Sequence, residues 1–139
     1  MRRYVPVWQS AGISKDRYIE LLHYCRQYPE WLSEANSMLG THAVNLDGMP
    51  HGTGVSDPVA AVAEKRSGLL YDIQLVEKCA AGAGEGWYTA VMQNVCMGKK
   101  YYEIDPILMP TSNRNAFFAA RKKFFILLDR MKRREGQAG

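Results

Sequence analysis

The sequence predicts an all-α protein, a helical bundle ending in a helix-turn-helix, and three observations predict it. Apolar residues recur over long stretches at the three-and-four spacing of one helical face. Nowhere do apolar and polar residues alternate over four to eight positions, as a half-buried strand requires. Proline and glycine cluster mostly between the periodic segments. With 139 residues, 47% hydrophobic and 23% charged, the chain suits one globular domain with a sizeable core and does not suit wholesale disorder.

After a short irregular start, Ser14 is placed to cap a helix whose apolar positions Tyr18, Leu21, Leu22 and Cys25 share a face. That helix should stop before Pro29. Pro29, Glu30, Trp31 and Leu32 then suit the first turn of a second helix that runs to about Met38. Together they make an expected N-terminal helical hairpin over residues 1–40. The segment GTHAVNLDGMPHGTG, residues 40–54, holds neither period, and it predicts a loop over 41–55.

A scaffold helix is expected within 56–81. Ser56 or Asp57 can accept from the amides of its first turn, and Pro58 sits where a missing N–H costs little. Val59, Val62, Ala63, Leu69, Leu70, Ile73, Val76 and Ala80 predict one buried stripe along it. Gly68 lies inside the stripe and predicts a close helix crossing or a bend. The glycines of AGAGEG, residues 81–86, end this helix. Trp87, Val91, Val95 and Cys96 then form the stripe of a shorter one, stopped by Gly98. One helical turn near Tyr101 to Ile104 and a proline-enforced extended linker lead to a last helix, from Thr111 or Ser112 to about Arg134. A polar tail, 136–139, follows.

Charge is concentrated in that last helix. From Thr111 onward eight Lys and Arg face Asp129 and Glu135, a net of +6, whereas residues 1–110 carry ten cations against twelve anions. A cationic element on a nearly neutral body is what a polyanion-binding protein requires, although a solvated helix face would look the same. At 100° per residue, Phe117, Ala120, Phe124, Leu128 and Met131 share an apolar face, with Leu127 beside them and Phe118 and Phe125 on its flank. The opposite face carries Ser112, Asn115, Ala119, Lys122, Lys123, Ile126, Arg130 and Arg133.

Small polar side chains first, a methyl group next and cations last is the order of a helix that enters the major groove by its N-terminus and flanks phosphate with its later turns. Asn pairs bidentately with adenine and Arg with guanine, so Asn115 and Arg114 are the first candidates for base contact. The expected DNA-facing set is Ser112, Asn113, Arg114, Asn115, Ala119, Lys122, Lys123 and Arg130. Thr111, Ser112 and Asn113 also fit N-cap chemistry, and Arg114 and Arg121, at the edge of the apolar face, fit structural ion pairs. Residues 82–135, a short helix, a turn and the long basic helix held by Tyr102, Ile104, Leu108 and Phe117, read as a helix-turn-helix unit.

The SDPVAAVAEKR helix start, the helix pair after it and the segment ILMPTSNRNAFFAARKKFF resemble the RinA/ArpU-like regulators of phage and prophage late genes. The similarity spans roughly residues 50–134. It implies a C-terminal part like region 4 of a sigma factor and a transcription regulator of the bacterial cytoplasm that binds double-stranded DNA. It also implies a reading helix that begins at Ser112, with Arg114, Asn115, Lys122 and Lys123 facing DNA. The two prolines of DPILMP depart from the short turn of that family.

Rival expectations are a small terminase-like DNA-packaging subunit and an interaction module that docks on RNA polymerase through Ile126 and its neighbours. A homodimer fits the regulator, since one such unit covers little DNA. No catalytic residues, metal or cofactor are expected. Gly52 and Gly54 complete no phosphate loop, and His23, Cys25, His42 and His51 lack the spacing of a zinc site. Cys25, Cys79 and Cys96 are expected as small core residues in a reducing compartment, and no apolar run or leader-like start points to a membrane.

Overall fold

The computed structural model describes residues 5–45 and 58–138, with side chains placed over 5–38 and 58–135. It is all-helical among the described residues. Six α-helices follow in order: α1 (Val7–Ser10), α2 (Lys15–Arg26), α3 (Tyr28–Asn45), α4 (Pro58–Ala81), α5 (Tyr88–Val95) and α6 (Arg114–Ala138). Two 3-10 turns, Tyr101–Glu103 and Pro106–Leu108, connect α5 to α6.

The local chemistry accounts for the boundaries. The Ser14 hydroxyl accepts the Arg17 N–H at 3.1 Å and starts α2. Only Gln27 separates α2 from α3, because Pro29 is tolerated in a first turn but not in a helix interior. α3 runs to Asn45, beyond the expected end near Met38, so the helix takes in the first residues of the expected 41–55 loop. Gly40, which costs roughly 1 kcal/mol relative to alanine in a helix interior, does not end it. The rest of that loop, and the capping expected of Ser56 and Asp57, lie outside the described residues.

The core is built where α6 meets α2, α4 and α5. Phe117, Phe124, Phe125 and Leu128 of α6 are fully buried against Leu21 and Cys25 of α2, Val76, Cys79 and Ala80 of α4, and Val91 and Val95 of α5. The two helices of the expected 1–40 hairpin pack into this common core: α2 packs on α5 and α6 as well as on α3, and α3 lies chiefly along α4. All three cysteines are buried and free. Burial pushes the Cys79 thiol up to about 11, and a hydrogen bond with Cys96, with burial, pushes Cys25 up as well.

Polar contacts tie the helices together. The Tyr24 hydroxyl donates to Asp72 of α4 at 2.7 Å, and Arg26 Nε donates to the Val95 carbonyl at 2.8 Å, placing a cation at the C-terminus of α5. Asp129 of α6, with 8% of its surface exposed, accepts from Arg17 Nε of α2 at 2.7 Å and from Arg133 Nε at 2.9 Å. Burial pushes the Asp129 carboxyl up, but these two hydrogen bonds outweigh it and hold the group below the ordinary carboxylate range.

At two glycines an added side chain would force a neighbour to shift. A Cβ on Gly82 would lie 2.8 Å from Leu127 Cδ1, so the missing side chain sets the approach of α6 to the end of α4. Gly86 combines φ +82° with Pro110 at 2.7 Å from the same position. A Cβ added at Gly68 would meet no described atom of another element within 4 Å, and α4 runs through this position unbroken.

Candidate nucleic-acid interface

α6 begins at Arg114, two or three residues later than expected. The Asn113 side-chain oxygen accepts the Asn115 N–H at 2.9 Å, and the Thr111 hydroxyl accepts the Asn113 N–H at 3.2 Å. Asn113 is thus the N-cap, and its acceptor is spent on the backbone. The Tyr101 hydroxyl donates to the Ser112 carbonyl at 2.9 Å, while the Tyr101 ring lies 5.1 Å from that of Phe117. Here the sequence expectation is corrected by one residue. Tyr101, Ile104, Leu108 and Phe117 hold the start of the helix, and Tyr102 points outward with 77% of its surface exposed.

Of the other expected DNA-facing residues, Ser112, Arg114, Asn115, Ala119, Lys123 and Arg130 are exposed and Lys122 is half-buried. The Arg114 guanidinium lies over the rings of Phe118, at 5.3 Å, and Tyr101, at 5.9 Å, which fixes its direction without neutralising it. Lys122, Lys123, Arg130 and Arg134 have no ion-pair partner among the described residues. From Arg114 to Arg134 this strip extends about 30 Å at 1.5 Å per residue.

Sequence reasoning missed the partners of Arg121 and the position of α1. Arg121 Nε donates to Asn94 Oδ1 at 2.6 Å, its Nη2 donates to the Tyr18 hydroxyl at 2.6 Å, and its guanidinium stacks over Phe125 at 5.0 Å. It is structural, as one alternative held, but its partners are neutral and form no ion pair. The segment from Val5 to Ser10 lies beside the first half of α6, and a groove of about 600 Å³ between them takes in Arg114, Asn115, Ala119 and Lys122. One edge of the expected reading face therefore has a wall. Its far edge, with Lys123 and Arg130, has none in that groove.

The connection between α5 and α6, residues 96–113, carries both 3-10 turns and is far longer than the three or four residues of an ordinary helix-turn-helix. Pro106 heads the second turn, with Asp105 accepting the Ile107 N–H at 3.1 Å, in place of an extended linker. Among the described residues no group of three or more His, Cys, Asp and Glu could hold a metal ion, and no helix is long and apolar enough to cross a membrane. No protein-family model, curated protein or solved structure matches this chain.

Proposed function

We propose that the protein binds double-stranded DNA through α6 and acts as a transcription regulator of the phage late-gene type, with α5 and the connection supporting α6 as an extended variant of the sigma-region-4-like helix-turn-helix. The observation that carries this reading is the outward strip of α6, where Lys123, Arg130 and Arg134 have no acidic partner among the described residues and follow the small side chains Ser112, Asn115 and Ala119. Unneutralised cations at this spacing suit successive phosphates, and Ala119 leaves room for close approach of a duplex. Asn115, an exposed residue, is the base-reading candidate.

Selection of bound fragments from random duplexes tests the reading. A shared motif should be enriched by the native protein and blurred at one position by Asn115→Ala. Recovery of fragments with no common motif would remove sequence-specific regulation and leave unspecific attraction. One observation favours a second reading, docking on RNA polymerase: two large apolar side chains of the connection, Ile107 at 83% and Tyr102 at 77%, are exposed. Ile107→Asp would weaken such docking and leave DNA affinity unchanged.

A further inference from the structure

The groove between α1 and α6 has a composition that phosphate contacts along an exposed helix do not require. Its volume, about 600 Å³, is within the range of small-molecule sites. Three aromatic side chains line it, Trp8, Tyr18 and Phe118, together with three cations, Arg114, Arg121 and Lys122, and, among the described residues, no carboxylate. Each cation is uncompensated by a different route. Arg114 faces only rings, Arg121 is bound by the neutral oxygens of Asn94 and Tyr18, and Lys122 is half-buried without an ion-pair partner among the described residues. Positive charge without a counter-charge, half-buried at Arg121 and Lys122, favours an anion, and ring faces beside it favour a planar group on that anion.

We propose that this groove is a binding site for a nucleoside monophosphate. The base stacks among Trp8 and Phe118, the phosphate sits between Lys122 and Arg114, and the Asn115 amide meets the base edge. Since Asn115 and Lys122 also belong to the proposed DNA face, the nucleotide and the duplex compete for them. That consequence rests on the DNA-binding reading, whereas nucleotide binding itself does not.

The test begins without DNA. Adenylate and guanylate are titrated into the full chain and followed by calorimetry and by Trp emission, with adenosine, guanosine and inorganic phosphate as partial probes. At least one mononucleotide should bind with Kd at or below about 1 mM, and its nucleoside and phosphate alone about tenfold more weakly or worse. Lys122→Ala should weaken binding about tenfold, ~1.4 kcal/mol, and Trp8→Ala similarly, with unchanged helical circular dichroism. Lys123→Ala, outside the groove, should leave it unaltered. No saturable binding of either mononucleotide, or equal loss in Lys123→Ala, overturns the site. If nucleotide binds but no DNA does, the site stands and the DNA reading falls. If both bind without competing, the shared use of Asn115 and Lys122 is refuted.

Discussion

α4 and α6 are nearly equal in length, 24 and 25 residues, and both were expected to bury one apolar stripe, yet they do so differently. α6 buries its stripe from Phe117 through Leu128, because α2, α4 and α5 meet it from several directions. α4 buries Ile73, Leu75, Val76, Cys79 and Ala80 in its second half only, while Val59, Val62, Leu69 and Leu70 are half-buried and Ala63 is exposed. Amphipathic periodicity marks which residues can be buried together; neighbouring helices determine which are.

The largest effect that could break this comparison is in the cores of the two helices. Phe124→Ala should cost about 3–5 kcal/mol, whereas Val62→Ala in the first half of α4 should cost under about 1 kcal/mol, both read as shifts in the urea midpoint. Similar losses would mean that the first half of α4 is enclosed in solution as fully as the core face of α6.

The polar ties of α6 come next. Asp129→Ala leaves Arg17 and Arg133 without their carboxylate and should cost about 2 kcal/mol. The folded Asp129 titrates below its unfolded value, so its contribution is full above the unfolded value and is lost as pH falls through the folded one. The native protein should therefore lose this increment of stability below about pH 4, and the variant should lose less over the same range. Arg121→Gln, which removes the charge and rearranges the contacts to Asn94 and Tyr18, should cost about 1 kcal/mol in the same denaturation experiment.

Legibility followed the range over which the causes act. The face of Phe117, Phe124 and Leu128, the Ser14 cap and the break before Pro29 depend on residues within one or two helical turns, and all could be read from the sequence. Phe125 was placed on the flank and is fully buried because Tyr18 of α2 packs at 5.0 Å, a long-range contact that no local period encodes. Tyr101 and Tyr102 are chemically alike, and only the 3-10 turn settles which one reaches Phe117. α1, at four residues, is too short to show a period, so the wall it forms beside Asn115 and Lys122 was hidden from sequence reasoning. Of the expected interface, Lys123 and Arg130 were legible as outward cations, and N-cap chemistry was legible for Thr111, Ser112 and Asn113 alike; the start of the helix singles out Asn113.

The central claim, that the outward strip of α6 contacts duplex phosphates, is tested most directly by the salt dependence of DNA affinity, measured by fluorescence anisotropy on one duplex for the native chain and the Lys123→Ala/Arg130→Ala double variant. Two lost phosphate contacts should flatten the slope of log K against log salt by about 1.8 and weaken binding throughout. A double variant that keeps both the affinity and the slope of the native protein would contradict the account.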